Sequence, residues 1–108
     1  SAYEVAAGSV IFREGEAGDC LYVILTGEVD VSVNGHHVWC LRSGEIFGEM
    51  ALVETRARSA TAIARTDCRL VRIDERRFLF LVSQTPYFAL GLLRLLASRL
   101  RAMDETMS

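Results

Sequence analysis

The sequence has no lysine, a single proline and no long apolar run, and its net charge is only −2. No stretch approaches the roughly 18 apolar residues that a membrane-spanning helix needs. A chain without an excess of positive charge also lacks the electrostatic footprint of a nucleic-acid-binding protein. We therefore expect neither nucleic acid nor a membrane as a partner of this chain by itself.

Cysteine and histidine are also scarce. Cys20, Cys40 and Cys68 are widely spaced, form no C-x-x-C pair and have apolar neighbours, which favours buried, reduced thiols over metal ligands or a redox switch. Reduced thiols in turn predict a cytoplasmic location. His36 and His37 are adjacent, so on a strand they point to opposite faces and cannot easily share one metal. The sequence thus lacks the histidine spacing of a metal-dependent cupin, the main class of enzyme with a similar β architecture.

At 108 residues the chain is expected to form one domain, which can bury about 65% of its unfolded surface. It begins at Ser1, already in strand-like sequence, and we interpret it as a domain from a longer protein that lacks an upstream helix. Neighbouring domains are expected outside residues 1–108.

The first two thirds of the chain have the pattern of short antiparallel strands. Over about 3–73, apolar and β-branched stretches recur between glycines at intervals suited to such strands. Alternation is clearest in Val29–Val33, whose three valines are expected to point inward. Asn34-Gly35 is typical of a hairpin tip. The sequence therefore predicts a mainly β fold with C-terminal helices, in which a double-stranded β-helix, or jelly roll, precedes two α-helices.

The two helices follow from capping and proline signals. Asp74 offers a helix cap, and the apolar spacing after it predicts a first helix over about 74–84. Pro86 suits the first turn of a new helix, which predicts a second helix over 86–103. Leucines cover almost the whole circumference of this second helix, more than one packing face requires. We expect it to pack on two surfaces, one of them the β-roll.

The segment from 44 to 61 carries the clearest indication of a ligand. Gly48 lets the backbone come close to a bound group, and the next four residues can form one helical turn whose N–H groups point at a negative charge. Arg58 is expected to pair with that negative charge from the opposite side, because a guanidinium fits two phosphate oxygens at once. Glu49 can only accept hydrogen bonds, so it suits sugar hydroxyls. Considered singly, each residue has an ordinary interpretation that suits it equally well: Glu49 as a solvated acid, and Arg58 as the surface partner of Glu54.

This segment resembles the phosphate-binding cassette of cyclic nucleotide-binding domains, the family of catabolite-activator-type regulators, kinase regulatory subunits and cyclic-nucleotide-gated channels. The likeness extends to the glycine turns and strands of 8–19 and 21–31, so it covers nearly the whole chain. It implies a cyclic nucleotide, cAMP or cGMP, as ligand and no further cofactor. The cyclic phosphate would lie on Gly48 and the amides after it and on Arg58 with Ser59, and the ribose 2′-hydroxyl on Glu49. The expected cassette contacts are Gly48, Glu49, Met50, Ala51, Arg58, Ser59 and Ala60.

The base is expected between the strands, near Val31, Val38 and Trp39, with the second helix closing over it. On a gap-free alignment from the proline, Met103 stands where catabolite-activator-type proteins place a threonine against adenine, and Asp104 follows it. An aspartate there can instead accept hydrogen bonds from guanine. The sequence leaves cAMP and cGMP open, with a slight preference for cAMP as the commoner bacterial signal. The family's usual proline before the cassette arginine is replaced here by Ala57, which predicts a looser loop that still binds.

The resulting hypothesis is a regulatory domain that converts cyclic nucleotide binding into movement of its C-terminal helix, without enzymatic turnover. The resemblance implies a homodimer through a twin helix, and packing against an attached effector domain is the alternative. Two other functions stay open at this point. One is a docking or dimerisation module with a degenerate pocket, and the other is the sensory half of a transcription regulator.

Overall fold

The computed structural model describes residues 2–53 and 57–107, apart from the side chains at 53, 88, 100 and 102–107. Strands fill the first part of the chain and helices the last. In chain order the elements are β1 (Ala2–Val5), β2 (Val10–Phe12), β3 (Cys20–Thr26), β4 (Val29–Val33), β5 (His36–Leu41), β6 (Ile46–Phe47), α1 (Met50–Val53), β7 (Thr61–Ala64), β8 (Cys68–Asp74), α2 (Glu75–Gln84) and α3 (Pro86–Met107).

The strands form two four-stranded sheets in which every pairing is antiparallel. One sheet has the order β1-β8-β3-β6 and the other the order β2-β7-β4-β5. Strands distant in sequence are neighbours in both sheets, which is the arrangement of a jelly roll. The predicted fold is therefore confirmed.

The hydrophobic core is built from inward-facing residues of both sheets. Ile24 and Leu70 come from one sheet and Val29 and Val31 from the other, and all four are buried in one cluster. Val29 and Val31 lie at alternate positions of β4 because successive side chains of a strand point to opposite faces. Val33, also predicted to face inward, is only half-buried at the end of its strand. This core fixes β3, β4 and β8 relative to one another.

The connection between β4 and β5 is the predicted hairpin tip. Asn34 has φ 52° and Gly35 has φ 79°, and positive φ at both positions defines a type I′ turn. The Glu14 carboxylate accepts a hydrogen bond from the Asn34 N–H at 2.9 Å. The hairpin tip is thereby tied to the loop between β2 and β3.

The joint between the two C-terminal helices lies where the sequence predicts it. α2 starts directly after Asp74 and ends before Thr85, whose N–H and hydroxyl both donate to the Leu81 carbonyl, at 2.8 and 2.7 Å. Pro86 opens α3, which continues to Met107 and so passes the predicted end at 103. The helix is longer because neither glycine nor proline interrupts residues 103–107.

The chain divides into two compact units, residues 1–75 and 76–108. The first unit contains both sheets, α1 and Glu75, the first residue of α2. The second unit contains the rest of α2 and all of α3. In the described ranges no single helix combines the length and the apolar character needed to cross a membrane. α2 and residues 89–99 pass that test only when taken together as a bent pair.

Candidate ligand-binding site

The predicted helical turn forms directly after Gly48. This glycine has φ 77°, a backbone conformation that residues with a Cβ rarely adopt. The Ala51 N–H donates to the Gly48 carbonyl at 3.3 Å, and the Leu52 N–H donates to the Glu49 carbonyl at 3.1 Å. These two N–H groups are therefore used within the turn itself, and the prediction concerns only the N–H groups of the turn that are free to meet a ligand.

Arg58 is the charged group at the centre of the site, and only 7% of it is exposed. Its Nη1 donates to the Gly48 carbonyl at 3.0 Å, and its Nη2 donates to the Cys20 carbonyl at 2.9 Å and lies 3.7 Å from the Cys20 Sγ. Its Nε is buried and has no hydrogen-bond partner among the described residues. Because a buried donor without an acceptor is costly, this atom marks a place for an acceptor brought by a ligand.

The Arg58 guanidinium lies over aromatic rings. Its Cζ is 4.1 Å from the ring centroid of Phe12 and 5.7 Å from that of Tyr22, and these rings pack with Phe47 at centroid distances of 5.2 to 5.9 Å. A cation over an aromatic face is stabilised by the quadrupole of the ring. Burial raises the pKa of Tyr22, which keeps its phenol neutral at physiological pH.

Two glycines leave the space that the Arg58 side chain occupies. A Cβ at Gly18 would lie 2.5 Å from the Arg58 Nε, and a Cβ at Gly48 would lie 2.7 Å from the Nη1. Both distances are far inside van der Waals contact. Only glycine at these two positions accommodates the guanidinium where it now lies.

The main chain of Arg58 is held by the loop between β2 and β3. The Gly15 N–H donates to the Arg58 carbonyl at 2.8 Å, and the Arg58 N–H donates to the Glu16 carbonyl at 2.7 Å. Ala17 and Ala57 form an antiparallel bridge beside them. Ala57, which stands where the family usually has a proline, is thus paired through its backbone.

Glu49 lies directly before α1 and is only 8% exposed. Charged residues are rarely buried without a structural or functional reason, so the reading of Glu49 as a solvated acid does not fit. Arg58 is not a surface residue either. Its suggested partner Glu54 lies outside the described residues.

The other predicted cassette residues differ in their exposure. Ala51 is buried, Ala60 is half-buried against the core, and Met50 and Ser59 are exposed.

The residues predicted to surround the base are only partly brought together. Val31 and Trp39 are direct partners across β4 and β5, so their side chains share a face that joins the core cluster. Val38 falls at an irregularity in this pairing and is 42% exposed. The side chains of Met103 and Asp104 lie outside the described residues.

Sequence reasoning missed four residues of this site: Phe12, Gly18, Cys20 and Tyr22. Cys20 and Cys68 are buried as predicted, whereas Cys40 is only half-buried. The contact of Cys20 with Arg58 has no local signal in the sequence. A separate pocket of about 440 Å³, lined by residues 4–6, Thr26 and residues 67–69, contains none of the predicted ligand contacts.

The chain is similar to known proteins in both sequence and structure. Residues 3–85 match the family profile described as the cyclic nucleotide-binding domain. A curated relative, the cyclic AMP receptor protein of Thermus thermophilus, is 36% identical over 102 residues, which is 90% of this chain and 47% of that protein. The chain spans less than half the length of the curated relatives it matches.

Solved structures agree with the sequence comparison. The crystal structure of the Thermus thermophilus catabolite activator protein superposes with a TM-score of 0.86 at 33% identity, over 99% of this chain and 53% of that one. The EAL enzyme Bd1971 has been solved in a cGMP-bound form, with TM-score 0.73, 34% identity and 98% and 30% coverage of the two chains. Its cAMP-bound form superposes with a TM-score of 0.71 at 35% identity, over 97% of this chain and 30% of that one.

Proposed function

The chain belongs to the cyclic nucleotide-binding domain family, and from this premise we propose that it is a regulatory domain holding cAMP or cGMP between Gly48 and Arg58. The unpartnered, buried Nε of Arg58 carries the proposal. A guanidinium presents its N–H groups in a planar fork that matches two phosphate oxygens. An incoming cyclic phosphate supplies the acceptor that the described residues do not provide.

The buried carboxylate of Glu49 is assigned to the ribose 2′-hydroxyl, because an ionised carboxylate accepts hydrogen bonds and donates none. Ser59, exposed beside Arg58, is assigned to the phosphate. Val31 and Trp39 offer an apolar surface for the base. A similar chain of Bd1971 accommodates both cGMP and cAMP, so we leave both nucleotides as candidate ligands.

Titration calorimetry with cAMP, cGMP and cyclic di-GMP tests this proposal. The wild-type chain should bind cAMP or cGMP in preference to cyclic di-GMP. Arg58→Ala should weaken that binding by about 2–5 kcal/mol, because it leaves a desolvated phosphate charge without its partner. Arg69→Ala, at an exposed arginine of β8, is the matched control and should leave affinity unchanged. Equal affinities of wild type and Arg58→Ala would remove this arginine from the site.

The output of the domain is assigned to its second compact unit. Residues 76–108 form a separate unit, and the break at Thr85-Pro86 divides it into two helices. A ligand moves such an equilibrium only as far as its affinities for the two states differ, and a ~100-fold preference corresponds to about 2.7 kcal/mol. Hydrogen exchange should slow in α3 when nucleotide binds. Unchanged exchange throughout α3 would contradict this output while leaving the binding site intact.

The partner of α3 is either a second copy of this chain or an attached effector domain. Tyr87, Leu90 and Leu93 of this helix are large apolar residues with exposed surface, and the matched relatives are longer than this chain. The domain itself is regulatory rather than catalytic. Its three free cysteines support a reducing, cytoplasmic setting.

A further inference from the structure

We propose that Cys20 is a positioning residue for Arg58, so that its thiol influences how tightly the domain holds a cyclic nucleotide. The inference rests on the proposed function. Cys20 is the first residue of β3 and is 2% exposed. It gives Arg58 Nη2 two contacts at once, the carbonyl at 2.9 Å and the Sγ at 3.7 Å.

Two arginines interact with the Cys20 side chain. Arg58 approaches from one side. The interaction with the Cys20 side chain is also the leading reason why the pKa of Arg72, on β8, is raised. Arg72 has a half-exposed side chain whose Nη2 lies 3.8 Å from an Asp19 carboxylate oxygen. The Cys20 thiol therefore has both a buried and a half-exposed arginine among its interaction partners.

A thiol suits this position because it is a weak, uncharged acceptor. A carboxylate at 20 would form an ion pair with Arg58 and compete with a ligand phosphate for it. An alanine would leave Nη2 with the carbonyl alone, so that this end of the guanidinium would be held by one contact instead of two. The sulfur adds a second point of contact without neutralising the charge. It therefore orients the guanidinium while the charge stays available to the ligand.

A double-mutant cycle measures this role. Cys20→Ala should weaken cGMP or cAMP binding about fivefold in the wild-type background, the size of one modest hydrogen bond. Arg58→Lys keeps a positive charge but has no Nη2, so in that background Cys20→Ala should change affinity less than about twofold. Cys20→Val, which fills the core space, repeats the test should the alanine variant fold poorly. Cys68→Ala, at an equally buried thiol on other carbonyl partners, is the control and should leave affinity unchanged.

A ligand-free measurement separates this inference from the proposed function. The Arg58 Nε–H signal in ¹H–¹⁵N spectra, assigned by its loss in Arg58→Lys, should shift or exchange faster in Cys20→Ala and stay in place in Cys68→Ala. That result without nucleotide binding would overturn the proposed function and keep the positioning role. An unmoved signal overturns the inference, and so does an affinity loss of equal size in both arginine and lysine backgrounds.

Discussion

At the scale of single residues, the notable feature is that two charged side chains, Arg58 and Glu49, are buried. Arg58 contacts aromatic rings, carbonyl oxygens and a thiol, and Glu49, the residue after Gly48, is buried. Both side chains are held in the folded chain before any ligand arrives. Ordering them therefore adds little to the entropic cost of binding.

Glu49→Ala should weaken cyclic nucleotide binding but hardly alter binding of the 2′-deoxy analogue. The carboxylate is assigned to the 2′-hydroxyl, and a ligand without that hydroxyl makes no hydrogen bond that the substitution could remove. Calorimetry of both ligands on both proteins measures the difference. Equal losses for the two ligands would show that Glu49 acts on something other than the ribose.

Gly18→Ala should lower nucleotide affinity at least about tenfold, the loss of one hydrogen bond to a charged group. The new Cβ would lie 2.5 Å from the Arg58 Nε, which must then move. Gly18 has no left-handed φ, so the substitution adds no backbone strain. Gly91→Ala is the control, because a Cβ there meets nothing within 4 Å in the described part of the chain. A Gly18→Ala protein with wild-type affinity would show that Arg58 binds equally well from a displaced position.

At the scale of secondary structure elements, the strands place the site residues more than their local sequence does. Phe12 belongs to β2 and Tyr22 to β3, in different sheets, yet both rings lie under the same guanidinium. β8 is paired with both β1 and β3. A change in the packing of β8 therefore reaches the site through β3.

Leu70→Ala should destabilise the domain by about 2–5 kcal/mol, since it opens a cavity at a fully buried side chain of β8. Arg69, the residue before Leu70 on the strand, is exposed and faces Glu4 on β1. The substitution Arg69→Ala should therefore lower the free energy of unfolding by no more than about 1 kcal/mol. Urea unfolding measures both values. Similar midpoints for the two variants would contradict the assignment of Leu70 to the core.

Local signals allowed these elements to be predicted, but not the contacts between them. Asn34-Gly35 and Pro86 fix a turn and a helix start through the chemistry of their own backbones, so the sequence was sufficient there. The contact of Arg58 with Cys20 joins residues 38 positions apart, and it exists only because of how the roll closes. The position of Val38 in a register shift between β4 and β5 could not be predicted for the same reason, because the sequence of either strand alone does not indicate where the register shifts.

At the scale of the whole molecule, the division into two compact units separates a ligand-holding part from a helical part. Every residue given a cassette role lies in residues 1–75. The helices carry exposed apolar side chains, and α2 follows directly after β8 in the chain. Such a division suits a module whose ligand site is fixed and whose output can be joined to different effectors.

Stability of the whole fold should fall as pH rises above 10. Burial raises the pKa of the Tyr22 phenol above its ordinary value of 10.0, so the unfolded chain releases this proton at a lower pH than the folded one. Between the two values the unfolded state binds fewer protons, and the free energy of unfolding decreases. Denaturant unfolding from pH 8 to 11 should show a smaller decrease for Tyr22→Phe than for wild type.

Tyr87→Phe is the matched control for that measurement, because Tyr87 is 85% exposed. It should follow the wild-type pH dependence. If Tyr22→Phe and Tyr87→Phe gave the same curve, burial of Tyr22 would have no part in alkaline unfolding.

The loop between β2 and β3 acts on two distant places at once. Glu14 ties it to the hairpin tip at Asn34, and Gly15 and Glu16 pair with the backbone of Arg58. This loop therefore connects the hairpin mechanically to the arginine proposed to bind the ligand. A macromolecule that grips this exposed loop would change the residence time of bound nucleotide without entering the pocket.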